Sequence, residues 1–169
     1  MIFLPDAVFG SLSEITPEYL RSAGINGLIL DIDYTLAPKS SPLPDESTRQ
    51  FVRGLQDGGI KLFIISNNHR ERVSLFAGAL GLDFICDSFK PLPSAFRKAL
   101  RAMDMKKGEV AAVGDQIYTD VLGAHSAGLR ALLLLEDESS RPLPYRLRRR
   151  LEKPFTGLYF RREKRRRGQ

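Results

Sequence analysis

The feature that most constrains the fold of this chain is a regular alternation of short apolar runs with segments of helical periodicity. The apolar runs have the length of buried β-strands and occupy residues 28–30, 62–65, 84–86, 110–113 and 131–135. Candidate helices lie near residues 45–57, 70–80, 94–103 and 119–127, after a first one capped by Thr16-Pro17. Continuously apolar strands separated by helices are typical of parallel sheets. We therefore predict an α/β fold, a doubly wound parallel sheet with helices on both faces.

Polar residues stand where three of these apolar runs end. Asp31 and Asp33 follow the first run, Ser66 follows the second, and Asp115 comes after Gly114 at the end of a later run. In open parallel sheets the crossovers are right-handed, and ligands bind beyond the carboxyl ends of the strands. We therefore expect these side chains to meet at one edge of the sheet, although they lie far apart along the chain.

The two carboxylates at Asp31 and Asp33 suggest phosphoryl transfer. A hard cation such as Mg²⁺ prefers oxygen ligands, and it would offset the repulsion between an attacking carboxylate and the anionic phosphoryl oxygens. We predict that Asp31 attacks phosphorus to give an aspartyl-phosphate, and that Asp33 acts first as general acid and then as general base. The alternative is that this D-x-D-x-T string is only an exposed turn between a strand and a loop.

Two later segments could bind the phosphoryl group. The Ser66 hydroxyl, helped by the backbone N–H groups of Asn67 and Asn68, could donate to its oxygens, although Ser-Asn-Asn is also a common helix-cap composition. Lys90, in a loop stiffened by Pro91, could bind the phosphoryl group and hold Asp31. The alternative for Lys90 is a solvated surface side chain.

The segment from Gly114 to Asp120 is the strongest second signal. Glycine at the end of a strand allows the backbone to come close to a site. We predict that Asp115 is a magnesium ligand. Asp120 would not bind the metal directly, and would either orient a metal-bound water or hold Lys90 in place. The alternative for Asp120 is a favourable interaction with the positive N-terminus of a helix.

The order of these motifs, over about residues 28–135, resembles that of the haloacid dehalogenase superfamily of phosphohydrolases. More narrowly, the chain resembles the YqeG-type IIIA phosphatases, a group related to the mitochondrial phosphatidylglycerophosphate phosphatase. The matching segments are Leu4-Pro5-Asp6, Leu30 to Leu36, Ile65 to Asn68, Lys90-Pro91 and Gly114 to Gly123. Tyr34 departs from the asparagine or glycine usual at its position in this group.

The resemblance implies a fold, a cofactor and a set of roles. It implies a Rossmann-like sheet without a large cap domain, and a site that binds Mg²⁺. Asp31 would be the nucleophile and Asp33 the acid/base. The metal ligands would be Asp31, Asp33 through its carbonyl, and Asp115, and the phosphate binders would be Thr35, Ser66 and Lys90.

The spacing of the motifs also bears on the substrate. Asp33 and Ser66 are 33 positions apart, and Ser66 and Lys90 are 24 apart, which leaves no room for a separate lid domain. In this superfamily the absence of a lid implies an open site, suited to a phosphate carried by a lipid, a protein or a nucleic acid.

Charge is distributed unevenly along the chain. Residues 141–169 contain twelve Lys or Arg against two acids, so this tail carries +10 and the remainder −4 of the net +6. We therefore divide the chain into a phosphatase domain, 1–140, and a basic C-terminal tail, 141–169. The basic tail points to an anionic partner such as phospholipid headgroups or nucleic acid.

Leucines at positions 143, 147 and 151 recur every four residues among arginines, which predicts a basic amphipathic helix ahead of the Arg/Lys-rich end. Three interpretations stay open for this tail. It could attach to an anionic membrane surface, bind ribosomal or other RNA, or pack its leucine stripe on the body with a disordered solubilising terminus.

Location and activity follow from these features together. The N-terminus does not have the pattern of a signal peptide, no apolar run is long enough to span a bilayer, and the lone Cys86 is expected in the core. A cytoplasmic location is expected, with the tail as a peripheral attachment to the inner face of the membrane.

We predict a magnesium-dependent phosphomonoesterase acting on phosphatidylglycerophosphate or another large substrate. The alternatives are a phosphatase of phosphoproteins or nucleic-acid ends, and a ribosome- or RNA-associated protein with a regulatory phosphatase site.

Overall fold

The computed structural model describes residues 1–135 and 143–168, which form a six-stranded, wholly parallel sheet with the order β1-β6-β5-β2-β3-β4. The strands are β1 Ala7–Phe9, β2 Gly27–Leu30, β3 Lys61–Ile65, β4 Phe84–Ile85, β5 Val110–Gly114 and β6 Arg130–Leu134. The predicted parallel sheet is confirmed, and the structure adds β1, which the sequence did not reveal. Because β1 has only three residues, it is too short to show a clear apolar period.

The described residues contain six α-helices: α1 Pro17–Ser22, α2 Glu46–Asp57, α3 Arg70–Gly78, α4 Pro93–Ala102, α5 Leu122–Ala127 and α6 Leu143–Arg167. Short 3₁₀ turns lie at Leu12–Glu14 and Lys107–Glu109. Side-chain caps begin two of the helices. Thr16 Oγ1 accepts from Tyr19 N at 3.2 Å before α1, and Asp45 Oδ1 accepts from Thr48 N at 2.8 Å before α2.

The core is divided by the sheet into two apolar layers. Leu28 and Leu30 of β2 belong to one layer and Ile29 to the other, because successive side chains of a strand point to opposite faces. Phe76 of α3 packs in the first layer and Phe96 of α4 in the second. Helices therefore cover both faces, as a doubly wound sheet requires.

The central strand β2 places the candidate site. Leu30 is paired with Ile64 of β3 and with Val113 of β5, so the three strands end at nearly the same level. The chain that follows each strand therefore emerges at the same edge, with Asp31 after β2, Ser66 after β3 and Asp115 after β5. Single helices connect the strands within residues 34–135, in agreement with the expected lack of a large cap domain.

The helix predicted at 119–127 is α5 preceded by a π-turn at Ile117–Val121. Such turns occur frequently at functional sites, and this one contains Asp120. Gly114 makes the close approach possible, because a Cβ atom at this position would lie 2.3 Å from Cγ of Asp120. The carboxyl end of β5 and the π-turn can therefore pack directly on each other.

The basic tail contains the long helix α6, which includes Pro154. Leu143, Leu147 and Leu151 are exposed, so the alternative in which this leucine stripe packs on the body is wrong. The domain boundary predicted at 140/141 lies outside the described residues. Among the helices of residues 1–135 and 143–168, none has the length and apolar character needed to cross a membrane.

Candidate active site

A buried lysine joins two carboxylates at the carboxyl edge of the sheet. Lys90 Nζ lies 2.6 Å from Asp31 Oδ1 and 2.7 Å from Asp120 Oδ1. All three side chains are less than a tenth exposed. Because a charged lysine is seldom buried without partners, this geometry rules out the solvated surface lysine that the sequence had left open.

Asp115 completes a cluster of acids at the same place. Carboxylate oxygens of Asp31, Asp115 and Asp120 lie within 4.8 Å of one another, and all three residues are buried. We call these three acids and Lys90 the catalytic cluster. Its members come from the ends of β2 and β5, the π-turn and the loop before α4, so only the fold brings them together.

The catalytic cluster fits a hard divalent cation. Oxygen donors converging within 4.8 Å are the ligand type that Mg²⁺ and Ca²⁺ prefer, whereas thiol or imidazole ligands would indicate zinc. Nearby, Thr35 Oγ1 is buried and has no hydrogen-bond partner among the described residues. A buried hydroxyl of this kind is expected where a polar ligand belongs.

Burial and charge shift the ionisation of the two central groups. Burial raises the pKa of Asp31 to about 8, with the Asp120 and Asp115 carboxylates adding to the effect and Lys90 opposing it. For Lys90, burial works to lower the pKa, but the Asp120 and Asp31 carboxylates outweigh it and raise the pKa above its ordinary value. The ammonium group is therefore fixed in its charged form.

Asp33 lies in a different environment, although it is only two residues from Asp31. Arg72 of α3 donates from Nη2 to Asp33 Oδ1 at 2.7 Å, and Asn68 Nδ2 donates to Oδ2 at 2.8 Å. The Asp33 side chain is 18% exposed, so part of it is open to solvent. Its carboxylate is not part of the acidic cluster. Its predicted role as a ligand concerns the backbone carbonyl and stays a prediction.

The predicted phosphate binders lie beside these acids. Ser66 is buried, and its Oγ accepts from Asn68 N at 3.2 Å. The Asn67 side chain instead braces the loop of Lys90: its Oδ1 accepts from Lys90 N at 2.7 Å and its Nδ2 donates to Lys90 O at 3.3 Å. Phosphate binding by Asn67 would therefore use its backbone N–H, as the sequence prediction assumed.

Helix α6 lies against the segment that carries Asp115. The Tyr145 hydroxyl donates to Asp115 Oδ2, and the Arg149 guanidinium donates to the Asp115 carbonyl. Glu152 Oε1 accepts from Ile117 N at 2.7 Å at the start of the π-turn. The three side chains of α6 are buried, although the sequence places them in a strongly basic tail.

These contacts from α6, together with Arg72 and the side-chain contact of Asn68 with Asp33, are the parts of the site that the sequence analysis missed. Arg72 could not be told from other helix-surface arginines, because its partner Asp33 is 39 residues away. In the tail there was one usable signal. Glu152 is an acid three residues after Arg149 within a basic run, and Arg149 Nη1 contacts Glu152 Oε2 at 3.0 Å.

Comparison with known proteins identifies the family. A family model described as haloacid dehalogenase-like hydrolase matches residues 13–128. A Bacillus subtilis (strain 168) protein described as "Probable phosphatase YqeG" is 36% identical over 151 residues, covering 89% of this chain and 88% of that protein. Pyrophosphatase PpaX of Halalkalibacterium halodurans is 31% identical over 100 residues, which cover 54% of this chain and 46% of PpaX.

The solved structures agree with the fold. A crystal structure of an uncharacterized protein from Listeria monocytogenes serotype 4b superimposes with a TM-score of 0.53 at 23% identity. The match covers 68% of this chain and 84% of that one. At this identity the likeness supports the shared sheet and helices alone.

Proposed function

This chain belongs to the haloacid dehalogenase-like hydrolases, and from that premise we propose that it is a magnesium-dependent phosphomonoesterase with Asp31 as its nucleophile. The observation that carries the proposal is the 2.6 Å contact between Lys90 Nζ and Asp31 Oδ1 within the catalytic cluster. A carboxylate held by an ammonium group beside two further acids is suited to attack a phosphoryl group when a cation is bound.

The chain's own residues account for each step. Asp31 Oδ attacks phosphorus, the bond to the ester oxygen breaks, and Asp33 donates its proton to the departing alcohol. Asp33 then removes a proton from water, which attacks the aspartyl-phosphate and releases inorganic phosphate and the Asp31 carboxylate. Lys90 holds Asp31 and the phosphoryl oxygens, and Thr35 and Ser66 donate to those oxygens. Mg²⁺, held by Asp31, Asp115 and the Asp33 carbonyl, would offset the negative charge of the phosphoryl group.

Phosphate release from a generic chromogenic phosphate in the presence of Mg²⁺ tests the proposal. We expect Asp31→Asn to lower the rate by on the order of 10³-fold or more, because the amide is not a nucleophile. Asp104→Asn is the matched control, since Asp104 is an exposed acid and asparagine tolerates its φ of 50°. Equal rates for wild type and Asp31→Asn would contradict the nucleophile assignment.

We further propose that the substrate phosphate is carried by an anionic phospholipid, phosphatidylglycerophosphate being the expected one. Apolar side chains are exposed beside the site, among them Phe89 and Leu92 on either side of Lys90-Pro91. Helix α6 adds Leu143, Leu147 and Leu151, all more than half exposed. A bilayer would remove these side chains from water and give each one a favourable environment.

The charges of α6 complement such a surface. Successive residues of a helix are rotated by about 100°, so the leucines lie on the opposite side of α6 from Tyr145, Arg149 and Glu152. Exposed Arg146 and Arg150 flank the leucines. Each basic residue near an anionic bilayer contributes on the order of 1 kcal/mol of attraction. RNA would satisfy the arginines, but bases are bound mainly by aromatic and Arg side chains, so a stripe of leucines favours lipid.

Vesicle flotation separates these partners. We expect the protein to float with phosphatidylglycerol vesicles but not with phosphatidylcholine vesicles, and Leu147→Gln/Leu151→Gln to lose most of this binding. Leu75→Gln, at an exposed leucine of α3, is the control. Equal flotation on both lipids would contradict the proposal. Salt-sensitive binding to ribosomes that survives the leucine changes would favour RNA, and turnover of a phosphopeptide or a phosphorylated oligonucleotide but not of lipid would favour the other large substrates.

A further inference from the structure

Tyr145 of helix α6 contacts residues of two sequence motifs of the site, the one that begins at Asp31 and the one that contains Asp115. Its hydroxyl donates to Oδ2 of Asp115, and its ring packs on that of Tyr34, with the centroids 4.8 Å apart. Tyr34 stands between Asp33 and Thr35, and only 8% of Tyr145 is exposed. A single side chain of α6 thus touches both ends of the candidate metal and phosphate site.

The backbone of Tyr34 supports a specific role for this contact. Its φ is 60°, a left-handed conformation that favours glycine or asparagine and costs an aromatic residue about 1–2 kcal/mol. Aromatic pairs gain roughly 0.5–1.5 kcal/mol beyond the area they bury. The packing of Tyr34 on Tyr145 therefore offsets a conformation that a bulky side chain would otherwise avoid.

Two further side chains of α6 contact the backbone near Asp115. Arg149 donates to the Asp115 carbonyl and, from Nη2, to Leu134 O at 3.1 Å. Glu152 accepts a hydrogen bond from the backbone N–H of Ile117, which is two residues after Asp115. The backbone from the Asp115 carbonyl to Ile117 is therefore held by α6, while Tyr145 holds the Asp115 carboxylate.

We propose that Tyr145 is a positioning residue for the metal: its hydroxyl holds the Asp115 carboxylate in the orientation in which one oxygen lies within 4.8 Å of carboxylate oxygens of Asp31 and Asp120. This inference rests on the proposed function, since it concerns the metal site of that reaction. Hydrogen bonds to a ligating carboxylate orient it, and their loss typically costs about 10- to 100-fold in metal affinity. The basic tail is in this view a structural part of the site, and its opposite side stays open for the membrane.

The test compares two hydroxyl deletions on the same interface. Tyr145→Phe keeps the ring that packs on Tyr34 and removes the hydroxyl that donates to Asp115. Tyr118→Phe removes a hydroxyl that donates to Leu151 O of α6 at 3.1 Å, so it perturbs the docking of α6 without touching Asp115. Mn²⁺ binding, followed by electron paramagnetic resonance, reports metal affinity without turnover, and phosphate release against Mg²⁺ concentration reports it with turnover.

We expect Tyr145→Phe to weaken Mn²⁺ binding and to raise the half-saturating Mg²⁺ concentration by about 10-fold, with kcat at saturating Mg²⁺ close to that of wild type. Tyr118→Phe should leave both quantities unchanged. Unchanged Mn²⁺ affinity in Tyr145→Phe would overturn the proposal. Tighter Mn²⁺ binding would also overturn it, since the hydroxyl would then compete with the metal for Asp115.

Failure of the proposed function gives a different result. If wild type binds Mn²⁺ but releases no phosphate from any ester, the phosphatase assignment fails, and the Mn²⁺ affinities of the two variants still decide the role of Tyr145. If wild type binds no Mn²⁺, there is no metal for Asp115 to hold and the positioning role is overturned.

Discussion

The catalytic cluster and a second charged pair, Asp6 with His125, both join distant parts of the chain through a cation and carboxylates. His125 Nε2 lies 2.9 Å from Asp6 Oδ2, and His125 Nδ1 lies 2.7 Å from Ile2 O. Asp6 Oδ2 also accepts from Ala131 N at 2.8 Å, next to β1 and β6. We call Asp6 and His125 the N-terminal clamp, because they hold residues 2–6 against α5 and β6.

The two differ in burial and in what their contacts achieve. The side chains of Lys90 and Asp31 are 3% and 9% exposed, whereas those of His125 and Asp6 are 16% and 45% exposed. Desolvating several charges is expensive, and apolar residues of similar volume would often be more stable. A buried cluster that persists despite this cost therefore indicates function, whereas the clamp is explained by holding the N-terminal segment in place.

Removing the lysine of the catalytic cluster should have the largest effect. We expect Lys90→Met to lower the rate of phosphate release by on the order of 10³-fold, since Asp31 and the phosphoryl group lose their cation. The unpaired buried carboxylates should also cost about 3–5 kcal/mol in free energy of unfolding, measured without metal by denaturant titration. Lys98→Met, at an exposed position of α4, should change neither quantity.

A double variant shows whether charge is the cause. Adding Asp31→Asn to Lys90→Met removes one of the carboxylates that the first change leaves unpaired. The double variant should therefore lose less stability than the sum of the two single changes. Strict additivity would contradict a direct electrostatic coupling between Lys90 and Asp31, and with it the contrast between the two regions.

Removing the metal should lower the free energy of unfolding through the catalytic cluster and not through the N-terminal clamp. Mg²⁺ at about 100 times its dissociation constant should raise the free energy of unfolding of wild type by about 2.7 kcal/mol relative to a chelated sample. Asp115→Asn should lose most of this increment, whereas His125→Gln should keep it. An equal increment in wild type and Asp115→Asn would place the cation elsewhere in the molecule.

The sequence predicted that the ends of β2, β3 and β5 lie together, because the signals for these strands are local. Asp31, Ser66 and Asp115 each follow an apolar strand, and parallel pairing brings such strand ends together without further information. Lys90 was less certain, since nothing local shows that its ammonium reaches Asp31. The fold class was predictable for the same reason, except for the three-residue β1.

The tail was predictable as a helix but not in its orientation. Leu143, Leu147 and Leu151 dominate the apolar pattern, yet they are the exposed residues, while Arg149 and Glu152 are buried. Periodicity assigns apolar residues to the core, so it gives the wrong face when a helix docks through polar contacts. Arg149 and Glu152 compensate each other and satisfy backbone groups of the body, which only the assembled structure reveals.

Arg72 and Asp33 form a pair of intermediate exposure, at 22% and 18%, and they should show an intermediate effect. Arg72→Met removes the donor that orients Asp33 but leaves Asn68 in place. We expect kcat to fall about 10-fold with little change in KM, equivalent to about 1.4 kcal/mol in the barrier. Arg70→Met, at an exposed position in the same helix, is the control. A change confined to KM would indicate that Arg72 binds substrate instead of positioning Asp33.

The N-terminal clamp should give the smallest effect and the only one that depends on protonation of a histidine. Both ring nitrogens of His125 face acceptors, which requires the doubly protonated imidazolium. The hydrogen bond to Asp6 accordingly raises the pKa of His125, against the effect of its partial burial. Burial works to raise the pKa of Asp6, but hydrogen bonds from His125 and Ala131 N outweigh it and lower the pKa.

The sign of the pH dependence follows from these two shifts. Stabilisation by His125 is fully present below its ordinary pKa of 6.5 and is lost as pH rises through the higher folded value, while that by Asp6 is present above 3.8 and is lost as pH falls through its lower folded value. We expect His125→Gln to cost under about 1 kcal/mol near pH 5.5, since Asp6 is partly solvated, and less near pH 9. Unfolding titrations of both proteins at the two pH values measure the difference, in which all other titrating groups cancel. A cost that is the same at both values would show that His125 acts as a neutral hydrogen-bonding group, and the clamp would then lose its likeness to the ion pairs of the catalytic cluster.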